Sequence, residues 1–278
     1  MKRTLPVAGQ VLMVMILLVG LLTSSTCSQE TEQHTSETEV YELDGGCTLI
    51  LRKEIALTPG ASTEVVEGIR DIVPAVQQLI PADSVAIHLT TDRENILPVW
   101  GIGSGTVGDD DGIRIEIYFD PDHPNFEMTN IFRTLVHEMH HVARIRNPDY
   151  EVTLLECMVN EGLADHFMVE VLDCGIPPWA SALTKEQIQE NIVRVGPLLR
   201  VKHESWTTEF SEEYFSPWMF GRGGEDPIPH WTGYSIGWKI VEDYLSVHPD
   251  ATASSLVWTH AEIIASSTPE LLVEDDEE

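Results

Sequence analysis

Two spacings of apolar residues divide this chain near residue 125. Before it, apolar side chains come in short runs or alternate with polar ones, as strands do. After it they recur every three or four positions, as amphipathic helices do. "CTLILRK" (Cys47 to Lys53), "SVAIHLT" (Ser84 to Thr90) and the alternating "IRIEIYF" (Ile113 to Phe119) predict strands. Ala61 to Ile80 predicts a helix, with a kink near Pro74. "GIGSGTVGDDDG" (Gly101 to Gly112) predicts a glycine-rich turn region making a hairpin connection. Neither the lysine nor the helix that a phosphate cradle requires follows it.

In the second part, helices are predicted over Phe126 to Arg146, Glu151 to Leu172, Lys185 to Arg200 and Tyr234 to Val247. Asn147-Pro148 stops the first, and Gly175 with Pro177-Pro178 ends the second. Trp206 to Trp231 reads as irregular and aromatic, and no internal repeat is visible. The expected class is α+β: a small mixed sheet in the N-terminal half, then a helical half.

The N-terminus adds a different signal. Lys2 and Arg3 precede the apolar run Val11 to Leu22. At roughly a dozen residues it is short for a membrane span and suits the core of an export signal. Cys27 follows, then a polar acidic stretch, which is how lipoproteins begin; Ser24 and Thr26 depart from the usual lipoprotein pattern. Three fates are therefore open: lipidation at Cys27, plain secretion, or an uncleaved anchor. All three place the domain outside the cytoplasm, in the cell envelope, membrane-anchored or secreted. The expected organisation is a signal over 1–26, a flexible acidic linker over 27–40, one domain over 41–265 and an acidic disordered tail over 266–278.

Composition narrows the partners. With 46 acidic and 16 basic residues the net charge is -30. A nucleic-acid partner is excluded, because phosphate binding needs a basic surface. Hydrophobic residues make up 42% of the 278, enough for a real core. Cys157 and Cys174 fall at opposite ends of one predicted helix, about 25 Å apart, too far to bridge. Cys47 could pair with either. No Cys-x-x-Cys occurs, which speaks against a thiolate zinc site.

The chemistry concentrates in "TLVHEMHH", Thr134 to His141. A helix turns about 100° per residue. With His137 at zero, His141 lies at about 40°, Glu138 at about 100° and His140 at about -60°. His137 and His141 therefore share a face with Glu138 beside it, and His140 points away. This is His-Glu-x-x-His: two imidazoles for zinc and a carboxylate to take a proton from the metal's water. Leu135, Val136, Met139, Val142 and Ala143 make the helix apolar around them, so ionisable groups there need a purpose. His140 is expected to contact a ligand or a neighbouring loop.

Two histidines leave a catalytic zinc one protein ligand short. "NEGLAD" (Asn160 to Asp165) supplies Glu161 as the third ligand, and Asp165, one turn on, as the carboxylate that orients a ligating imidazole. Glu156 lacks that partner, and His166 sits off the stripe.

His137-Glu138-x-x-His141 with Asn160-Glu161-x-x-x-Asp165 resembles the zinc core of the gluzincin metallopeptidases, including the thermolysin-like enzymes. "HEMHH…EGLADHF…WTGYSIG" is similar to a bacterial family of predicted zinc-dependent proteases, over roughly residues 120–250. The resemblance implies a zincin-like fold, with a helix pair presenting one Zn2+ ion beneath a mixed sheet. It implies His137, His141 and Glu161 as ligands, Glu138 as catalytic base and Asp165 behind them. Thermolysin-like enzymes add a Tyr and a His that donate to the oxyanion; "PHWTGYSIGW" offers Tyr234 and His230. Arg222 is a candidate for a substrate carboxylate.

The expected activity is a zinc metallopeptidase acting on a peptide or protein. The rivals are an exported zinc-binding protein without peptidase activity, and a zinc hydrolase acting on a non-protein amide such as cell-wall peptide. The membrane enters only through the N-terminal lipid or signal anchor.

Overall fold

The computed structural model describes residues 13–15, 38–52, 57–91, 96–97, 99–109 and 112–271. The expected signal and linker, Cys27 included, lie outside the described residues except for 13–15 and 38–40. Among the described residues no helix is long and apolar enough to cross a membrane.

The fold is α+β. Six strands form one mixed sheet: β1 (Met13–Met15), β2 (Thr38–Glu42), β3 (Thr48–Arg52), β4 (Val85–Thr91), β5 (Ile102–Asp109) and β6 (Gly112–Phe119). Their order is β1-β5-β6-β4-β3-β2, with β3, β4 and β6 parallel and the other pairings antiparallel. The parallel β3–β4 pair needs a crossover, and α1 (Pro59–Gln77) provides it. Thr58 caps α1 through the Ala61 amide, and α1 runs on through Pro74.

Alternation decides which sheet face is buried. Leu49, Leu51, Ile87, Leu89, Ile115, Ile117 and Phe119 are buried, as are Val65, Ile69 and Val73 of α1. The intervening His88, Glu116 and Tyr118 are only half-buried, on the opposite face.

The remaining helices are α2 (Met128–Ile145), α3 (Leu154–Leu172), α4 (Lys185–Leu199), α5 (Ser216–Phe220), α6 (Thr232–Val247) and α7 (Ala261–Ala265). A π-helical turn, Phe210–Phe215, precedes α5 within the stretch expected to be irregular. Helix α3 is buried through most of its length, as a central helix must be. Thr153 caps its start by accepting from the Glu156 amide. Helix α6 crosses α3 where Gly162 meets Gly237; a Cβ on either would overlap backbone atoms of the other helix. Two glycines thus let the helices approach closely enough to bring the start of α6 beside the polar stripe of α3.

Three expectations need correction. Gly101 to Gly112 is not a turn region: most of it is strand β5, with the reversal confined to its end, where Asp109 pairs with Gly112. Glycine weakens a strand in isolation, but full pairing with β6 offsets that. The hairpin itself is present. The chain stays packed beyond residue 265, since Thr268 and Leu271 are buried; residues 272–278 lie outside the described ones. Cys47, Cys157 and Cys174 are all free thiols, so Cys47 pairs with neither.

Candidate metal centre

Helices α2 and α3 run antiparallel, and several buried polar groups of α2 meet partners on α3. His137 meets Asp165, His141 meets Asn160 and Glu161, and Arg144 meets Glu156. All of these side chains are buried, so each depends on its partner.

The two imidazoles stand at 90° with their Nε2 atoms 3.0 Å apart. Glu161 Oε2 lies 3.1 Å from His137 Nε2 and 3.5 Å from His141 Nε2. The outer nitrogens are both engaged: His137 Nδ1 with Asp165 Oδ1 at 2.9 Å and His141 Nδ1 with Asn160 Oδ1 at 3.2 Å. Because both partners are acceptors, both Nδ1 atoms donate, which leaves the Nε2 lone pairs facing each other and a carboxylate. Three converging acceptors repel unless a proton or a metal cation sits among them. Ligands at zinc–nitrogen and zinc–oxygen bond lengths on a tetrahedron are about 3.3 Å apart, close to the spacings here.

Glu138 also brings an oxygen within 4.8 Å of the His137 and His141 ring nitrogens. Of the two carboxylates, Glu161 is nearer both imidazoles, and Glu138's oxygens are already held. Ser104 Oγ donates to one of them and Thr106 Oγ1 to the other, each at 2.7 Å. Strand β5 thus fixes the Glu138 carboxylate beside the imidazole pair.

The charge states follow from this packing. Burial pushes His137 down, but hydrogen bonds and charges of Asp165 and Glu161 outweigh it, and its pKa ends well above the usual histidine value. Burial pushes Glu161 up, yet the charge of His141 and hydrogen bonds from both histidines bring it down to about 2. Asp165 is raised by burial. It accepts from the Trp179 indole at 2.9 and 3.1 Å, which fixes its orientation.

Beside His137 opens a narrow, mainly apolar cleft, walled by Leu97, Trp100, Met168, Trp179 and Trp231, with Ser104 and Thr134 also contributing. Tyr234 lines it too, is buried, and has its pKa held well above the usual phenol value by burial and by the charges of Glu161, Asp165 and Glu138. Trp231 enters the cleft from a left-handed backbone, φ 64°, a costly conformation for a bulky side chain.

Of the residues singled out from the sequence, His137, Glu138, His141, Glu161 and Asp165 come together, with Tyr234 close by. His230 and Arg222 do not. His230 is exposed, bonds the Phe220 carbonyl and packs at a tilt against Trp231. Arg222 is exposed 4.0 Å from Asp226. Glu156 belongs to Arg144, and His166 stacks on Trp238 with its pKa lowered to about 4 by burial. His140 is buried against Phe167 with neither ring nitrogen hydrogen-bonded, so the polar contact expected for it is absent among the described residues. Burial, the Arg144 charge and the neighbouring histidines keep it well below the usual value.

Sequence reasoning missed Ser104, Thr106 and Trp179. The first two sat in the glycine run, and nothing local marks the third.

An α+β fold that sets a His-Glu-x-x-His helix against a second, carboxylate-bearing helix is zincin-like. The chain belongs to the family described as predicted Zn-dependent protease (DUF2268), which it matches over residues 63–265, more than half its length. It is also similar to the uncharacterized protein YjaZ of Bacillus subtilis (strain 168), 27% identical over 137 residues. That match covers 48% of this chain and 49% of the relative, so the chain spans about half the length of that relative.

Proposed function

We propose that the chain is a zinc metallopeptidase holding one ion through His137, His141 and Glu161. The observation that carries this reading is the convergence of three lone pairs with Glu138 fixed alongside. Bound zinc supplies a polarised substrate carbonyl and an acidified water. Glu138 takes the water's proton and returns it to the leaving amine. Ser104 and Thr106 hold the Glu138 carboxylate in place for both transfers. Asp165, steadied by Trp179, keeps His137 in the tautomer whose Nε2 faces inward. The Tyr234 hydroxyl, kept protonated by its surroundings, donates to the developing oxyanion. The apolar cleft beside His137 receives a substrate side chain. The apolar N-terminal run exports the domain, so its substrates are peptides or proteins outside the cytoplasm.

The test pairs a metal-content assay with a peptide-library digest, with and without chelator. About one zinc per chain is expected, with cleavage that chelation abolishes and zinc restores. Full zinc occupancy with no cleaved peptide would sink the peptidase reading.

A second expectation concerns protons. In the metal-free chain His137 carries a proton at neutral pH, because its pKa is raised well above 6.5. That proton's contribution to stability is complete below the unfolded value and disappears as pH rises through the folded one. Loading frees the Nε2 lone pair, so about one proton per ion is released near pH 7 and affinity climbs with pH. Calorimetric titration in buffers of different ionisation enthalpy measures the number. Release of none would remove His137 from the ligand set.

A further inference from the structure

Against one wall of the cleft stands a charged group that the mechanism does not use. Arg133 lies on α2 one turn before His137, and its guanidinium stands over the ring of Trp100, 5.5 Å from the centroid. Trp100 is a wall of the cleft and packs edge-on against Trp179, which holds Asp165. Arg133 is not itself a lining residue; it stands, half-buried, against one wall of the cleft, one helical turn along α2 from His137. Its polar contacts are neutral: Nη1 donates to Asn130 Oδ1 at 3.2 Å, and the Cys174 thiol lies beside it.

The chain has 46 acidic and 16 basic residues, so carboxylate partners are plentiful. Arg144, Arg146, Arg194 and Arg200 each sit on a carboxylate. Among the described residues Arg133 has no such partner. A half-buried guanidinium held by a ring face and an amide keeps its outward donors free for an anion. An apolar pocket with a planar, fork-shaped cation against one of its walls matches a residue that has an apolar side chain and a free carboxylate.

We propose that Arg133 receives the C-terminal carboxylate of the substrate, which makes the chain a carboxypeptidase releasing a terminal apolar amino acid. The inference rests on the peptidase reading. One water is consumed, its oxygen bonding to the penultimate residue's carbonyl carbon. The C–N bond to the last residue breaks, and the proton taken by Glu138 leaves on that residue's new amino group.

The experiment separates binding from turnover. The three cleft tryptophans report ligand binding by fluorescence in the zinc-loaded protein. The ligands are N-acetyl-leucine, its amide, and N-acetyl-glutamate amide, whose carboxylate is on the side chain. The free acid is expected to bind roughly tenfold more tightly than either amide, the scale of a charge-assisted hydrogen bond to arginine. That preference should vanish in Arg133→Gln and survive in part in Arg133→Lys, with melting temperatures unchanged. Equal binding of acid and amide overturns the proposal, as does a preference retained in Arg133→Gln, which would belong to the metal. Glutamate-amide binding equal to the acid overturns the terminal assignment. Arg133-dependent acid binding in a protein that cleaves no peptide refutes the peptidase reading instead.

Discussion

Glu138→Gln is expected to retain zinc and lose turnover, with kcat falling about 10²- to 10⁴-fold, the range for a removed general base. The three proposed ligands are untouched, so metal content should stay at that of the parent. The amide has the size of the carboxylate and can still meet the Ser104 and Thr106 hydroxyls, which lie 2.7 Å away in the parent and can reorient. What it cannot do is take a proton from water. A drop in kcat with little change in KM therefore reads as lost proton transfer. Steady-state kinetics alongside elemental analysis checks this. Substantial turnover in the zinc-replete variant would remove Glu138 from the chemistry and shift attention to another base.

Glu156→Ala is expected to destabilise the fold by about 3–5 kcal/mol, the usual consequence of stranding a buried charge. Arg144 is only 2% exposed, and Glu156 is the carboxylate against it. The same guanidinium donates to the carbonyls of Val257 and Thr259, both at 3.2 Å, while Glu156 Oε2 accepts from the Ala261 amide at 3.3 Å. The pair thus ties α2, α3 and the C-terminal segment together one turn beyond His141. Without Glu156 the arginine keeps two carbonyls but no counter-charge. Thermal unfolding should fall by on the order of 10 °C for a domain of this size. Replacing both partners, Arg144→Leu with Glu156→Leu, should recover much of the loss, because no buried charge then remains. A single variant that melts with the parent would show the pair to be well hydrated.

These two positions differ in how well they could be read in advance. Glu138 is legible because its relation to His137 and His141 is local: helical geometry fixes the angles once the segment is known to be a helix. The same holds for Glu161 and Asp165, one turn apart on α3. Glu156 was visible as a carboxylate, but its partner Arg144 is supplied by the antiparallel packing of two helices. The glycine run shows the limit from the other side. Its composition favours turns, and only pairing with β6 makes it a strand.

The sequence by itself determined the α+β division, the long helices, and which side chains of α2 and of α3 share a face, because each depends on a repeat spanning a few residues. Tertiary structure decided what those faces meet. Thr106 reaches Glu138 across 32 residues of sequence, and Arg144 reaches Val257 across 113. Trp179 under Asp165, Tyr234 rather than His230 in the cleft, and Arg133 against Trp100 depend likewise on where the elements settle. No short-range periodicity encodes that placement. It emerges when the apolar faces of sheet and helices are buried together, and the close contact at Gly162 and Gly237 sets how near α6 comes to α3.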